Sequence, residues 1–176
     1  MKKLALTFIC ILSFGLAQAQ DNNWAVGFKL GEPSGVNFRK YFNNIHALDV
    51  TIGTYGGVLS NERSYRSGKY KTTGLSVQVH YLWTTPLFNS ENVHVYYGLG
   101  GQVNSRNYYP DNKKLLAPPG DREKTISLGG SAIGGVEYFI PDNRMSVFLE
   151  TGAYIELLPR PFYLSPNLSA GIRFNL

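Results

Sequence analysis

Residues 167–176 read NLSAGIRFNL, and every second residue of this stretch is apolar. The apolar residues are Leu168, Ala170, Ile172, Phe174 and Leu176. Successive side chains of an extended chain point to opposite faces, so these residues share one face and the polar residues share the other. The pattern therefore predicts a β-strand with one apolar and one polar side.

The same alternation recurs along the chain. Residues 74–83 repeat it most clearly, with Leu75, Val77 and Val79 on one face and Ser76 and Gln78 on the other. We count eight strands, near residues 24–31, 35–42, 47–55, 74–83, 93–104, 125–140, 145–156 and 167–176. No helical period of comparable length appears, so the sequence predicts an all-β fold.

The connections between these strands alternate in length. Those at 43–46, 84–92 and 141–144 are short, whereas those at 56–73, 105–124 and 157–166 are longer and rich in Gly, Pro, Ser and charge. An even number of antiparallel strands, with short turns at one end and long loops at the other, is typical of an up-and-down β-barrel. The tight segment around Glu32-Pro33-Ser34 departs from this rule.

The N-terminus has the features of a secretory signal. Lys2 and Lys3 precede an apolar run over 4–16, and Ala17-Gln18-Ala19 fits a small-x-small cleavage site. We therefore predict a signal peptide at 1–19 and one barrel domain at 20–176. Cys10 lies in the signal, which excludes disulfides and thiolate metal sites from the mature chain. Loss of the two lysines lowers the net charge from +5 to +3, too mild a charge to indicate nucleic-acid binding.

Alternation alone does not say which face points inward. A soluble, lipocalin-like binding barrel has its apolar face inside, whereas a membrane barrel has it outside. The apolar face carries almost no charge except Lys40, near a strand end. Its aromatic residues gather at one end of the strands, as expected for a membrane interface: Trp24, Phe42, Tyr81, Trp83, Tyr138 and Phe174. These features favour an eight-stranded antiparallel transmembrane β-barrel over the soluble alternative.

The signal, the strand count, the unequal loops and the terminal strand at 167–176 carry a resemblance. The chain resembles the small eight-stranded outer-membrane β-barrel proteins of Gram-negative bacteria, of the OmpX-like or OmpA transmembrane-domain type. The resemblance implies an integral outer-membrane protein without a cofactor. It implies little about function. We predict a non-enzymatic structural, envelope-maintenance or surface-interaction role, including that of an accessory subunit of a larger outer-membrane complex. A porin-like small-solute channel and a lipid-A-modifying barrel enzyme are the alternatives.

The polar face of the strands predicts a charged interior. Its inward candidates are Lys29, Arg39, Asp49, Gln78, His80, His94, Gln102, Glu137, Glu150, Glu156 and Arg173. Arg39 and Asp49 flank one short turn at similar distances and are expected to pair. Arg173 is expected to reach Glu150 or the neighbourhood of Lys29, because closure makes the first and last strands adjacent. Buried charges need partners, so we predict an ion-paired plug, with a polar conduit as the alternative.

Catalytic and metal motifs are weak in this sequence. The His-x-Ser pair of lipid-A deacylases is absent, because Leu48, Leu82 and Tyr96 stand two residues after the three histidines. His80 and His94 lie near one predicted turn, but no third metal ligand is evident. We predict no catalytic, cofactor or metal site.

The two longest loops are basic and contain tyrosines. They supply candidate surface-binding residues: Arg63, Arg66, Tyr108, Tyr109, Lys113 and Lys114. Arg and Lys can contact the phosphates of lipopolysaccharide, and Arg and Tyr are frequent anchors in protein interfaces. Outer-membrane lipid, lipopolysaccharide and an outer-membrane protein partner are therefore the expected partners, with a merely solvated loop surface as the alternative.

Overall fold

The computed structural model describes residues 23–43, 45–56, 63–65, 68–70, 74–110 and 123–176. The predicted signal peptide lies outside these residues. The described chain forms ten strands: β1 Trp24–Gly31, β2 Ser34–Phe42, β3 His46–Tyr55, β4 Arg63–Tyr65, β5 Gly68–Tyr70, β6 Gly74–Pro86, β7 Val93–Pro110, β8 Glu123–Phe139, β9 Met145–Leu158 and β10 Tyr163–Asn175. Within these residues, no helix is long and apolar enough to cross a membrane.

Eight of the strands, β1–β3 and β6–β10, close into one antiparallel barrel, because β1 pairs with β10. Following the register around the barrel from Ala25 leads to Ser165 on β10. Ala25 itself pairs with Asn175, ten residues further along β10. This offset is the shear of the barrel, and at eight strands it leaves an interior that side chains can fill. The predicted all-β, eight-stranded antiparallel barrel is confirmed.

The two ends of the barrel differ. One end, which we call the turn end, carries the short connections at 43–45, 87–92 and 140–144 together with Asn23 and Leu176. The opposite end is called the loop end. There the connection predicted at 157–166 is much shorter, since it spans only 159–162 between β9 and β10.

The predicted bounds of the loop at 105–124 were wrong at both ends. β7 and β8 continue their pairing as far as Tyr108 and Glu123, so they project beyond the neighbouring strands. The prediction also missed the β4–β5 hairpin within 56–73. That hairpin joins the projecting part of β7, with Lys69 opposite Tyr109. These segments lack a clear apolar face because they extend past the rest of the barrel, and alternation therefore did not reveal them.

The predicted faces are confirmed along the barrel strands. On β6, Ser76, Gln78 and His80 are buried, whereas Leu75 and Val79 are 59% and 43% exposed. Among the described residues, buried polar and charged side chains clearly outnumber buried hydrophobic ones. The large exposed hydrophobic residues lie on every barrel strand; examples are Phe28, Phe38, Ile52, Leu75, Leu99, Val136, Leu149 and Leu168. The barrel therefore has a polar interior and an apolar exterior.

Candidate functional site: the barrel interior and its turn end

Arg39 lies at the centre of a buried ion-pair network. Its Nε donates to Asp49 Oδ2 at 2.7 Å, and its Nη1 donates to Glu137 Oε2 at 2.8 Å. Asp49 is the direct cross-strand partner of Arg39, so the pairing predicted from the shared turn is confirmed. Ser146 donates to Glu137 Oε1 at 2.6 Å and completes the surroundings of that carboxylate.

Arg173 joins the same network from the last strand. Its Nε donates to Asn37 Oδ1 at 2.7 Å, and its Nη1 lies 3.0 Å from Glu137 Oε2. Of the two places expected for Arg173, the contact with Glu150 is not found among the described ion pairs. Arg173 pairs in register with Ser146, four residues before Glu150 on β9, so its guanidinium meets the groups around Arg39 instead. Asn37 also donates to Asp49 Oδ1 at 2.7 Å and links the two arginine sites.

Lys29 and Glu150 form a second, adjacent ion pair. Tyr96 donates a hydrogen bond to the other carboxylate oxygen of Glu150 at 3.1 Å. All of these charged groups are at most 3% exposed. The interior cluster therefore holds three cations (Lys29, Arg39, Arg173) against three carboxylates (Asp49, Glu137, Glu150), and it is formally neutral.

Aromatic rings cover both guanidinium groups. The Arg39 Cζ lies 4.3 Å from the centre of the Tyr96 ring, and the Arg173 Cζ lies 3.6 Å from the centre of the Phe148 ring. A desolvated cation over an aromatic face gains electrostatic stabilisation. The rings also occupy the space that water would otherwise take beside the charges.

Towards the loop end, the interior contains amides and hydroxyls beside the buried carboxylates of Glu32 and Glu156. Gln78 donates to Gln102 at 2.7 Å, and Gln102 donates to Asn104 at 2.8 Å. Beyond them, Tyr55 shares a hydrogen bond of 2.6 Å with Ser165 and donates to Asn167 at 2.9 Å. The interior is thus filled along its length by side chains that bind one another.

The two inward histidines have separate partners. His80 Nε2 lies 2.7 Å from Ser131 Oγ, whereas the His94 ring packs edge-on against Phe139 with 5.2 Å between ring centres. The predicted approach of these histidines is not found. Among the described residues, no group of three or more His, Cys, Asp or Glu side chains is arranged to hold a metal ion.

A buried apolar cluster lies beside the network towards the turn end. Ala47, Leu82, Tyr96 and Ile133 form a buried cluster, and Tyr41 packs against it. Outside Tyr41, the mouth of the barrel forms a pocket of about 530 Å³. Its lining comes from the start of β1, the end of β10 and several turns: Asn23, Tyr41, Asn43, Thr84, Glu91, His94, Phe139, Asn143, Arg144, Asn175 and Leu176. His94 therefore belongs to this pocket rather than to the ion-pair network.

Sequence analysis missed several interior residues. Asn37, Tyr41, Tyr55 and Tyr96 all have inward parity on their strands, which was the available signal. The list of inward candidates was limited to charged residues, histidines and glutamines, although a buried tyrosine ring can fill the interior while its hydroxyl binds a carboxylate. The candidate surface-binding residues remain predictions. Arg66, Lys113 and Lys114 lie outside the described residues, and only the backbones of Arg63, Tyr108 and Tyr109 are described.

Comparison with family models and with curated proteins gives no match for this chain. Among solved structures, it is similar to Neisserial surface protein A, with 14% identity and a TM-score of 0.49, over 87% of this chain and 94% of that chain. It is also similar to Ail, the attachment invasion locus protein of Yersinia pestis, in complex with the heparin analogue sucrose octasulfate. In that case the identity is 16% and the TM-score 0.44, over 86% of this chain and 94% of that one. The likeness is one of architecture, that of a small eight-stranded antiparallel barrel.

Proposed function

We propose that this chain is an integral outer-membrane barrel, with a non-enzymatic structural or surface-interaction role in the envelope. The observation that carries this proposal is the distribution of polarity. The buried interior is charged and polar, while the exposed wall is lined with Leu, Ile, Val and Phe. A soluble binding barrel needs the reverse arrangement, because its exterior faces water and its interior holds an apolar ligand. In a lipid bilayer, the apolar exterior found here would face hydrocarbon, and the polar interior would be shielded from it.

The aromatic residues near the turn end support a membrane boundary there. Trp83 stacks on Tyr97 with ring centres 5.7 Å apart, and Tyr81 meets Trp83 edge-on at 5.2 Å. The outward Lys40 Nζ lies 4.9 Å from the centre of the Trp24 ring. Aromatic rings with polar tips and a lysine among them suit the headgroup region, where both water and hydrocarbon are present. Outer-membrane barrels have their short turns on the periplasmic side. In this proposal the turn end therefore faces the periplasm.

The filled interior argues against a transport role. Arg39, Arg173 and their carboxylate partners are buried in direct ion pairs, and Tyr96 and Phe148 cover the guanidinium groups. The inward ionisable groups are thus engaged in contacts that hold the strands together. We infer that recognition lies outside the wall-spanning strands, and that the basic loops contact lipopolysaccharide or an outer-membrane protein partner.

The lipid-facing wall is tested by one pair of variants on β6. Val79 and Thr85 share the outward face, but Thr85 lies on the turn side of Trp83. Val79→Arg should lower the free energy of unfolding by about 2–4 kcal/mol, as for a charge near the bilayer midplane, whereas Thr85→Arg should change it by about 0–1 kcal/mol near the interface. The measurements are urea unfolding in lipid vesicles and a heat-modifiable band in the outer-membrane fraction.

A soluble protein would give the opposite result. Val79 would then face water, so Val79→Arg would be tolerated and the protein would fractionate without detergent. That outcome would favour a soluble, lipocalin-like barrel and contradict the membrane proposal.

The proposed surface contact is tested through loop charge. Arg66→Gln, Lys113→Gln and Lys114→Gln together should reduce the lipopolysaccharide or protein that co-purifies with the chain, and added salt should mimic the effect, since exposed charges are screened. The control is Lys40→Gln, which removes a positive charge at the turn end, away from these loops. If the same lipopolysaccharide or protein co-purifies after all three substitutions, the contact surface lies on the barrel wall instead.

A further inference from the structure

The pocket at the turn end lies against the barrel interior. Its floor includes Tyr41, which packs against the buried cluster of Ala47, Leu82, Tyr96 and Ile133. The Tyr41 hydroxyl lies 3.5 Å from both carboxylate oxygens of Glu137, so the floor of the pocket borders the ion-pair network. A pocket of about 530 Å³ that opens at the mouth of the barrel has the size of a small-molecule site.

The pocket is held open by the backbone that surrounds it. Tyr41 N donates to Asn23 O at 2.7 Å, and Leu176 N donates to Trp24 O at 2.8 Å. Across the mouth, Asn175 N donates to Arg144 O at 2.6 Å and Phe139 N donates to Asn92 O at 2.8 Å. Since these bonds tie the turns, the start of β1 and the end of β10 to the barrel rim, the pocket exists before any ligand binds, which reduces the entropy lost on binding.

Carboxamides dominate the rim. Asn23, Asn43 and Asn143 are exposed there, and each offers two N–H donors and one carbonyl acceptor. Glu91 and Arg144 add one charge of each sign. The side-chain charges of the rim therefore cancel, and the rim does not select strongly for an anion or a cation.

The floor of the pocket is aromatic. The His94 and Phe139 rings meet edge-on, and Tyr41 and Thr84 lie beside them. A flat ligand with one apolar face can pack on these rings and keep its polar edge towards the carboxamides. A saccharide ring has that geometry, because its C–H groups form a face while its hydroxyls project from the rim. An acetamido substituent adds an amide that pairs with a carboxamide through one donor and one acceptor, and a methyl group that suits the floor.

We infer that the turn-end pocket binds an uncharged, N-acetylated saccharide. This inference rests on the proposed function only for the cellular compartment of the pocket. In an outer-membrane barrel whose turn end faces the periplasm, the pocket faces the glycan of the cell wall. The pocket's chemistry is a property of the barrel itself. Binding is therefore measured on the folded chain, whatever the outcome of membrane fractionation.

The test uses the full chain folded in detergent micelles and two disaccharide probes. N,N′-diacetylchitobiose and cellobiose share a two-ring β-linked skeleton, but only the first carries acetamido groups. At ~10 mM, a site with a Kd of about 1 mM is largely occupied. The diacetylated sugar should shift the NMR signals of the pocket residues in a saturable way, and cellobiose should bind at least threefold more weakly, as expected for the loss of a hydrogen-bonded amide.

Two asparagines provide matched variants. Asn43 and Asn89 both have positive φ, 57° and 53°, on turns at this end, but only Asn43 lines the pocket. Glycine accepts positive φ without strain, so Asn43→Gly and Asn89→Gly should both fold. Asn43→Gly should weaken binding by about threefold to tenfold, while Asn89→Gly should leave it unchanged. Phe139→Leu should also weaken it, because it keeps the bulk of the floor but removes the ring.

Other outcomes overturn the inference. Three results would each contradict an acetamido-binding site: absence of saturable shifts, equal binding of cellobiose, or equal effects of Asn43→Gly and Asn89→Gly. Saturable binding of a short uncharged peptide in preference to the sugar would make the pocket a peptide site. A heat-modifiable outer-membrane band together with no sugar binding would refute this inference and leave the proposed function standing.

Discussion

The inward and outward faces of the same strands differ in how they accommodate charged side chains. Arg39 is fully buried among ion-pair partners, whereas its neighbour Lys40 points outward and lies over Trp24. The inner face tolerates charge because each charged group has a partner within the barrel. On the outer face, Lys40 lies near the turn end, where its amine can reach a polar environment. Position relative to the wall, rather than residue type, decides what each side chain does.

The largest expected difference between the faces is at Arg39. Arg39→Ala leaves Asp49 and Glu137 with fewer cations in a buried site, so it should lower the free energy of unfolding by about 3–5 kcal/mol. Lys40→Ala removes an exposed cation–π contact and should lower it by about 0.5–1 kcal/mol. Urea unfolding in the same lipid vesicles measures both.

A paired substitution sharpens this result. Arg39→Met with Asp49→Leu removes one charge of each sign and leaves the cluster neutral. This double variant should be more stable than Arg39→Ala, since the remaining cluster stays neutral and Glu137 keeps its ion pair with Arg173. Equal losses for the two variants would show that packing of the Arg39 side chain, not its charge, stabilises the interior.

A smaller difference is expected at two neighbouring glycines on β7. A Cβ at Gly100 would overlap the carbonyl oxygen of Val79, whereas the nearest atom to a Cβ at Gly101 is 3.9 Å away. Gly100→Ala should therefore destabilise the barrel by about 1–3 kcal/mol, as in other overpacked sites. Gly101→Ala should be close to neutral. A similar loss at both positions would contradict the close approach of β6 and β7 on the inner face.

The smallest expected signal is the current through the barrel. With the interior filled by the ion-pair network and the amides above it, planar-bilayer recordings of the wild-type chain should give no stable large conductance. Stable conductance whose ion selectivity changes in Glu150→Gln would mean that water fills the interior, and the channel alternative would replace the plug.

The extent of sequence-based prediction differs between the two faces as well. The outward-facing residues could be predicted, because a two-residue period survives along β6 and β10 regardless of what lies opposite. The partners of the inward charges could be predicted only for Arg39 and Asp49, which a short turn holds together. Arg173 was expected near Glu150 or Lys29, but the β9–β10 register places it opposite Ser146, and barrel closure places it opposite Gly27, the cross-strand partner of Asn37.

The sequence by itself determined the strand number, the inward and outward parities and the list of charges that must be buried, because each depends on local alternation along one strand. The tertiary structure alone decided which charges meet, that Tyr96 and Phe148 cover the arginines, and that Tyr41 lies between the interior and a pocket built from the start of β1, the end of β10 and several turns. Those contacts depend on shear and closure, which bring together strands far apart in the chain. Local periodicity specifies faces, whereas only the closed barrel specifies neighbours.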